Sequence, residues 1–554
     1  MSKILKSAFQ YKGPISENLT DFIRIGLRKN AEHTLVIDAA SGRRWTGAIL
    51  ETHITRIAEY LRKECQLQKG DICTIYNEPN DQSVILMLAI ISAGGTSNFL
   101  SNKYRPRDIL DTSKRLGSHF LISTQALLEN LKCHLSGEND ECSITKVLSI
   151  DGVYNGYGTS FGPIGHLLLC DQASSDSSLK ATLTLDDLAA EVDPSQLAVV
   201  QFSGGTTGKP KPIPRTHKNL CHLVASVDHE ELMDLKPGQI LTGSLQLTHR
   251  PGIWALLASI NGGSTYLVWD STSDIEDALR LIDKYQVTIF SASLPMLGQL
   301  GNKGISLKNK YNLASLQQII TSGSKIVHED LPKSIVKEFK LQSLRQCFGM
   351  TESGWVFLLE RSLAKAGNYL TVGHVVPGSE VAILDRGTMQ PVGPDVRGEL
   401  AVRGPQVFPG YMDGERFVYN RKDFLNDDWF RTGDQARYDA QELVFIEGRY
   451  KELMIFANNI RAFPNEIETI LSEHPAIECA CVVNMGQNNG FDVARGFVTL
   501  KQNCQVTEKE LIDFVSERFV GVMMDGGIKI LDKFPRLHSG KVDKFALKEM
   551  VFDS

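Results

Sequence analysis

The stretch VVQFSGGTTGKPKPIPRTH, residues 199–217, runs an apolar, strand-like segment into a loop of glycines, hydroxyls and lysines. Glycine lets consecutive backbone N–H groups converge on one anion, and hydroxyl and ammonium groups add further donors and charge. The loop therefore favours binding a polyphosphate, with an ordinary turn between two strands as the alternative. The candidate phosphate-binding residues are Ser203, Gly204, Gly205, Thr206, Thr207, Gly208 and Lys209, with Lys211 adding charge.

The spacing of this loop differs from that of the phosphate loop of nucleoside triphosphatases. That loop has four residues between its glycines and a Ser or Thr after its lysine. Here three residues separate Gly204 from Gly208, and Pro210 follows Lys209. Because proline disfavours a helix beginning immediately after the lysine, we expect the loop to join two strands.

Composition bounds the class of protein. The 554 residues are 42% hydrophobic and 22% charged, with a formal net charge of −6, which is typical of globular proteins and argues against a nucleic-acid partner. The longest apolar run, residues 84–93, is too short to span a bilayer and predicts a buried helix, so we expect no integral membrane segment. Neither end of the sequence has the pattern of a signal peptide or a peroxisomal address, so we expect a cytoplasmic protein.

The ten cysteines are scattered along the chain without the paired spacing of a metal site or a disulfide framework. The one close pair, Cys479 and Cys481, alternates along an apolar run that predicts a strand. We therefore expect reduced cysteines that serve in packing, and no structural metal.

Helix and strand patterns alternate along most of the chain. Apolar residues at helical spacing over residues 50–61 precede a β-type run at 72–76, and the pair 277–284 and 287–290 repeats this order. Alternation of this kind predicts layered α/β architecture. We predict a large multi-layer α/β domain with mixed sheets over residues 1–447.

A smaller, mobile α+β domain is predicted over residues 448–554. Residues 443–456 favour a hairpin at the boundary. Pro464 is suited to the first position of a helix and is followed by acidic residues, which the helix dipole favours there. Thr507 and Glu510 have the spacing of a capping box ahead of a second helix.

Five motifs occur in a fixed order along nearly the whole chain: SGGTTGKPKPIPRTH (203–217), FGMTE (348–352), WFRTGD (429–434), GRYK (448–451) and PRLHSGKVDK (535–544). In this order they resemble the signatures of the adenylate-forming superfamily, which comprises acyl- and aryl-CoA ligases, beetle luciferases and adenylation domains. The first motif is similar above all to the loop of dihydroxybenzoate-adenylating enzymes, because most CoA ligases have Ser or Thr where Gly205 stands.

The resemblance implies an ATP-dependent, Mg²⁺-dependent ligase. A substrate carboxylate attacks the α-phosphate of ATP, pyrophosphate leaves, and the acyl-adenylate passes its acyl group to the thiol of CoA. Two anions must be brought together, so catalysis consists chiefly of neutralisation and positioning. The main alternative acceptor is the phosphopantetheine of a carrier protein. Luciferase-like oxidation and a catalytically silent nucleotide-binding module are further alternatives.

The resemblance also implies roles at the reacting centre. Lys541 would bridge the carboxylate and the α-phosphate. Thr351 would bind the α-phosphate, and Glu352 would bind Mg²⁺, a hard cation that prefers oxygen ligands. His249 and Gly252, in LTHRPGIW, match a His-x-x-Gly motif whose ring gates the acid pocket. Each residue also has a purely structural alternative. Lys541 could be an ordinary turn lysine, Thr351 and Glu352 could begin a helix, and His249 could serve in packing.

The resemblance implies roles on the nucleotide side of the site, or at the hinge, for five further residues. Phe348 would stack on adenine, which requires a π face. Gly323 would let the backbone approach the adenine. Asp434 would accept hydrogen bonds from both ribose hydroxyls, with support from Arg449. Lys451 matches the superfamily's hinge position, about which the small domain swings between two half-reactions.

The identity of the acid and the acceptor is less constrained. The segment around His249 lacks the Asp that pairs with the ammonium group in amino-acid-activating domains, so we expect an aliphatic or aromatic acid. Residues 456–460 read FANNI, without the glycine that lies beside the family's thiol tunnel, and Lys544 stands where the family has arginine. These departures leave adenylation in place, weaken the case for CoA as the acceptor, and would suit a carrier protein.

Overall fold

The computed structural model describes most of the chain. The described residues are 3–13, 15–135, 143–151, 159–161, 164, 181–202, 211–243, 245–270, 274–323, 325–412, 418–426, 428–457, 460–488, 490–501, 503–536 and 542–550. The loop residues Ser203 to Lys209 and Lys541 lie outside them, as do Asn458 and Asn459.

The strands of the described chain are distributed over its whole length. In chain order they are β1 (Leu5–Lys6), β2 (Thr34–Asp38), β3 (Arg44–Thr46), β4 (Ile72–Asn77), β5 (Thr96–Ser101), β6 (Phe120–Ser123), β7 (Lys146–Ser149), β8 (Thr159–Phe161), β9 (Leu197–Phe202), β10 (Pro212–Thr216), β11 (Ile240–Gly243), β12 (Thr265–Val268), β13 (Ile289–Ser293), β14 (Gln318–Ser322), β15 (Ser343–Met350), β16 (Gly354–Leu358), β17 (Glu380–Leu384), β18 (Gly398–Arg403), β19 (Tyr411–Met412), β20 (Tyr419–Asn420), β21 (Phe424–Leu425), β22 (Trp429–Tyr438), β23 (Val444–Arg449), β24 (Met454–Ile455), β25 (Arg461–Ala462), β26 (Ile477–Asn488), β27 (Phe491–Leu500) and β28 (Ile528–Ile530).

The helices alternate with these strands through the large domain. In chain order they are α1 (Leu19–Lys29), α2 (Gly47–Lys63), α3 (Asp81–Ser92), α4 (Pro106–Leu116), α5 (Gln125–Leu135), α6 (Leu185–Ala190), α7 (His217–Ala225), α8 (Arg250–Gly262), α9 (Ile275–Tyr285), α10 (Leu294–Gln299), α11 (Ile305–Leu307), α12 (Asp330–Glu338), α13 (Arg361–Lys365), α14 (Pro464–Glu473), α15 (Glu508–Arg518) and α16 (Lys544–Glu549). A π-helical turn, Leu300–Gly304, joins α10 to α11.

Three large sheets form the large domain. The eight-stranded sheet has the order β16-β15-β14-β13-β11-β12-β2-β3, and the seven-stranded sheet has the order β10-β9-β5-β4-β6-β7-β8. In both, the inner strands are parallel. Antiparallel pairs lie at both edges of the eight-stranded sheet, and at the β10–β9 edge of the seven-stranded sheet. The third sheet is antiparallel and contains β17, β18, β22 and β23. The prediction of a large α/β domain with mixed sheets is confirmed.

The apolar helix predicted at residues 84–93 is α3, and it forms the centre of the largest hydrophobic core. Its side chains from Val84 to Ile91 are buried, since α3 packs against α2 and β5. Helix α2 covers the predicted positions Leu50 to Leu61. No helix of the described residues is long and apolar enough to cross a bilayer.

The small domain has its own core, which begins at Met454. Antiparallel β26 and β27 form its sheet, with β28 parallel to β27, and α14 and α15 cover it. Both predicted helix starts are confirmed. Pro464 is the first residue of α14, and Thr507 and Glu510 form the capping box of α15. A contact to the large domain joins His328 Nε2 and Glu473 Oε1, 2.9 Å apart at the surface.

The predicted hairpin over residues 443–456 is wrong. Strand β23 pairs with β22 in the third sheet, whereas β24 pairs with β25 in the small domain. The two strands are separated by a 3₁₀ turn, Tyr450–Glu452. Both segments have β-type patterns, but the pattern of one strand does not identify its partner.

Candidate nucleotide and acid site

Neighbouring strands of the eight-stranded sheet direct several predicted site residues to one edge. Strands β11, β13, β14 and β15 are parallel, so their carboxyl ends meet there. His249 follows β11, Gly323 follows β14, and Phe348 lies near the end of β15. Ligands of open α/β sheets bind outside the carboxyl ends of strands, so this edge is the candidate site.

The seven-stranded sheet reaches this edge through β10, the strand that follows the glycine-rich loop. Strands β9 and β10 are antiparallel, with Phe202 paired to Pro212, so the loop joins two strands as predicted. Arg215 on β10 donates from Nη1 to the carbonyl oxygens of Thr351 (2.9 Å) and Glu352 (3.2 Å). This contact holds β10, the strand that follows the loop, beside Thr351 and Glu352.

Thr351 and Glu352 lie in the turn between β15 and β16, so the alternative of a helix starting there is wrong. The Glu352 residue is only 6% exposed. Its Oε1 accepts a hydrogen bond from the Tyr411 hydroxyl at 3.0 Å, and its carbonyl oxygen accepts one from the Phe408 N–H at 2.8 Å. The carboxylate is therefore held in one position while Oε2 has no hydrogen bond within the described residues.

Asp434 and Arg449 face each other across β22 and β23. Arg449 Nε lies 3.3 Å from Asp434 Oδ1, while Oδ2 is buried without a hydrogen-bond partner in the described structure. Burial raises the pKa of Asp434 to about 6, although Arg449 opposes the shift. A buried carboxylate oxygen without a donor is costly, so this oxygen fits a ligand hydroxyl.

Gly323 and Phe348 lie at the same level of adjacent strands, because Thr321 pairs with Gln346. Gly323 has φ +91°, a left-handed conformation that favours glycine. A Cβ added there would meet no atom within 4 Å, so its surroundings are open. The half-buried Phe348 ring contacts Phe357 at 6.0 Å between centroids. The pair leaves room for a planar group at the end of the sheet.

His249 is the residue before α8 and is partly exposed. Gly252, three residues later, donates its N–H to the His249 carbonyl oxygen at 3.1 Å. A Cβ on Gly252 would lie 2.2 Å from the carbonyl oxygen of Gln246, so only glycine fits this turn. The spacing of the His-x-x-Gly motif thus has a steric cause.

Lys451 lies in the 3₁₀ turn between β23 and the core of the small domain. Lys544, at the start of α16, reaches Glu468 Oε1 on α14 at 3.4 Å. This contact anchors the segment that follows Lys541 within the small domain. The predicted phosphate-loop residues and Lys541 have no described positions and stay predictions.

Sequence reasoning missed Tyr411, Arg215 and Arg250. Arg215 falls on the same face of β10 as buried Ile213, so a charge on an apolar face was the available signal. Arg250, the first residue of α8, is 4% exposed but follows His249 in a polar segment. Tyr411 follows Gly410 in a stretch that gave no signal.

The residues present fit a Mg²⁺ ion bound largely by substrate oxygens. In the part of the chain that the structure describes, no three or more His, Cys, Asp or Glu residues cluster as a metal site. Mg²⁺ is usually held in proteins by one or two carboxylates together with phosphate oxygens and water. Glu352, with one oxygen engaged by Tyr411, can supply such a single carboxylate. None of the seven cysteines with described side chains forms a disulfide.

The fold and this arrangement define an adenylate-forming enzyme. The sequence model of the AMP-binding enzyme family matches residues 24–412, and that of the AMP-binding enzyme C-terminal domain matches residues 466–541. The first match alone covers more than half of the chain. The protein belongs to the AMP-binding enzyme family.

Named relatives cover nearly the whole chain. A probable 4-coumarate–CoA ligase 2 of Dictyostelium discoideum is 27% identical over 535 residues, which are 95% of this chain and 93% of the relative. ATP-bound MatB from Rhodopseudomonas palustris has a TM-score of 0.76 at 20% identity, covering 97% of this chain and 99% of MatB. The O-succinylbenzoate coenzyme A synthetase MenE of Bacillus subtilis, in complex with AMP, has a TM-score of 0.71 at 22% identity, covering 96% of this chain and 98% of MenE. The predicted superfamily and fold class are confirmed.

Proposed function

We propose that this protein is an AMP-forming ligase that joins a carboxylic acid to the thiol of coenzyme A. The observation that carries the proposal is the unpartnered Oδ2 of buried Asp434, which fits a ribose hydroxyl in a chain of the AMP-binding family. The names of its relatives, which include several 4-coumarate–CoA ligases, support the second substrate.

In the first step a carboxylate oxygen of the acid attacks the α-phosphorus of ATP. The bond to the bridging oxygen breaks, and pyrophosphate leaves with its electron pair. Thr351 is positioned for the α-phosphate by the Arg215 contact, and Asp434 with Arg449 binds the ribose. Phe348 and Gly323 form the adenine side, while His249 borders the acid. Lys541 and residues 203–209 neutralise the phosphates, as the family resemblance implies.

Mg²⁺ would be held by Glu352 and would supply charge neutralisation on the polyphosphate. The chain's own contribution is to fix the carboxylate. The Tyr411 hydroxyl donates to one oxygen, and the buried surroundings exclude competing water. Glu352 therefore presents its second oxygen in a defined direction.

In the second step the CoA thiol sulfur attacks the acyl carbon, AMP leaves, and the thiol proton is released. We propose that residues 1–447 and 448–554 act as two domains that reorient at Lys451 between the steps. In support, β23 belongs to the third sheet of the large domain, while the small-domain core starts at Met454.

The relatives' names favour CoA over a carrier protein as acceptor, despite the FANNI sequence at residues 456–460. Fatty and aryl acids are both candidate substrates, and a cytoplasmic location stays a prediction.

The test is acid-dependent exchange of pyrophosphate into ATP, followed by thioester formation with CoA. We expect exchange with at least one acid and a CoA thioester of the same acid. Exchange without a thioester would reject CoA as the acceptor. Failure of exchange across aliphatic, aromatic and dicarboxylic acids would reject the ligase itself.

A further inference from the structure

Two buried arginines lie beside the turn of Thr351 and Glu352 without forming an ion pair with any described carboxylate. Arg215 is fully buried and uses only Nη1, which donates to the two carbonyl oxygens of that turn. Its Nε and Nη2 have no hydrogen-bond partner among the described residues. Arg250 is 4% exposed, and its Nη1 also lacks a partner in that part of the chain.

The Arg250 guanidinium contacts an aromatic face. Its central carbon lies 4.1 Å from the centroid of the Trp355 ring. A cation–π contact covers one face of the guanidinium plane, whereas the N–H groups point along its edges. The contact therefore does not satisfy the hydrogen-bonding capacity of Arg250.

The neighbouring aromatic side chains add more unpaired donors. Trp254 and Trp355 contact each other edge to face at 5.4 Å between ring centroids, and the indole N–H of each is buried without an acceptor among the described residues. Arg345, which is also fully buried, has an unpartnered Nε there too, but its other nitrogens donate to the carbonyl oxygen of Leu232 and to Gln318 Oε1. The cluster of Arg215, Arg250, Trp254 and Trp355 thus contains only donors, and buried donors are normally paired.

The charges of this cluster do not balance. Arg215 and Arg250 repel each other, and both are attracted by the carboxylate of Glu352. Both guanidinium groups carry a positive charge at neutral pH. Glu352 supplies one negative charge, and its Oε1 already accepts a hydrogen bond from Tyr411. A bound anion would offset the remaining positive charge.

The position of Arg250 indicates which substrate carries that anion. Arg250 begins α8 directly after His249, the residue predicted to border the acid. Its guanidinium packs on Trp355, which lies four residues after Thr351, the residue proposed to bind the α-phosphate. Resting on the proposed function, we infer that the substrate is a dicarboxylic acid, or an acid with an equivalent second anionic group. One carboxylate is adenylated, and Arg250 binds the other.

The first test needs no variant. Linear and aromatic dicarboxylic acids are compared with their monomethyl esters in pyrophosphate exchange, because the ester keeps one carboxylate and the length but removes the second charge. We expect the best diacid to exceed its ester in kcat/KM by about 100-fold, the scale of a charged hydrogen bond in a buried site. Equal or better activation of the esters would overturn the inference while leaving the ligase proposal intact.

The second test assigns the preference to Arg250. In Arg250→Met and Arg250→Gln the ratio of diacid to ester activity should fall to near unity, and Arg250→Lys should restore part of it. This ratio does not depend on the fraction of folded protein. Arg345→Lys, at a buried arginine remote from this role, should leave the ratio unchanged.

Two results with the variants would contradict the assignment. Equal loss of activity with diacid and ester would show that Arg250 only supports the fold, and a raised KM for ATP alone would place the anion on the nucleotide. If no acid of any class supported pyrophosphate exchange, the proposed function would be rejected, and this inference would be rejected with it.

Discussion

The hydroxyl of Tyr411 donates to Oε1 of Glu352 at 3.0 Å, although the two residues are 59 positions apart in the chain. Burial, together with the Glu352 charge, raises the pKa of Tyr411, so the phenol stays a donor at all ordinary pH values. On the other side of the phenol, Lys211 Nζ lies 4.5 Å from the ring centroid. Glu352, the candidate magnesium ligand, is therefore positioned by Tyr411, a residue outside the turn that contains Glu352.

Removing that donor should weaken metal use without removing the metal ligand. In Tyr411→Phe we expect kcat/KM to fall about tenfold, the scale of one hydrogen bond to a charged group, and the half-saturating Mg²⁺ concentration to rise. Initial rates of pyrophosphate exchange across a Mg²⁺ titration provide the measurement. Tyr438→Phe, which loses a hydrogen bond to the Val392 carbonyl oxygen in the third sheet, is the control. An unchanged titration would refute a positioning role for Tyr411.

Adenosine binding should depend on pH through Asp434. Ionised Asp434 accepts hydrogen bonds on both oxygens, whereas the protonated acid loses an acceptor. Because burial raises the pKa of Asp434 to about 6, affinity should be full above about pH 7 and should fall as the pH drops through 6. Calorimetry with adenosine is suitable, since the phosphates of ATP titrate in the same range. Asp434→Asn should bind more weakly and without this slope, and a parallel slope in both proteins would exclude Asp434.

Lys541→Ala should separate the two half-reactions. If Lys541 neutralises charge only during adenylation, the variant loses about 10²–10³ in pyrophosphate exchange. Thioester formation from a supplied acyl-adenylate should persist at close to the wild-type rate. Lys548→Ala, in the terminal helix α16, should affect neither reaction. Equal loss in both half-reactions would be incompatible with two uses of the site.

The turn after His249 offers a test of stability. Gly252→Ala would bring a Cβ to 2.2 Å from a backbone oxygen and should cost about 1–3 kcal/mol. Gly298→Ala on α10 meets no atom within 4 Å and should be neutral or stabilising by about 0.5–1 kcal/mol. Chemical denaturation of both variants gives the comparison. A Gly252→Ala protein as stable as Gly298→Ala would contradict the steric requirement.

The sequence predicted local elements well because their signals are local. The apolar positions that predict α2 are one helical turn apart, and so are the two capping residues that predict α15. The structure has a helix at both predicted places. The order of the five motifs likewise identified the family, because the segments that form one active site occur in the same order in its members.

Long-range pairings were not predictable in the same way. Residues 443–456 have strand patterns, but their division between two domains depends on β22 and β25. Burial of Arg250 was equally hidden, because arginine is rarely buried and its surroundings come from distant Trp355. The contact of Tyr411 with Glu352 depends on how the separate β19–β20 pair packs against β10.

The contact between His328 Nε2 and Glu473 Oε1 joins the two domains through side chains that are 53% and 42% exposed. Exposed pairs of this kind contribute about 0–1 kcal/mol, which is comparable to thermal energy. If the small domain reorients as proposed, breaking this contact costs little. The occupant of the active site, and the stage of its chemistry, can then decide which arrangement prevails.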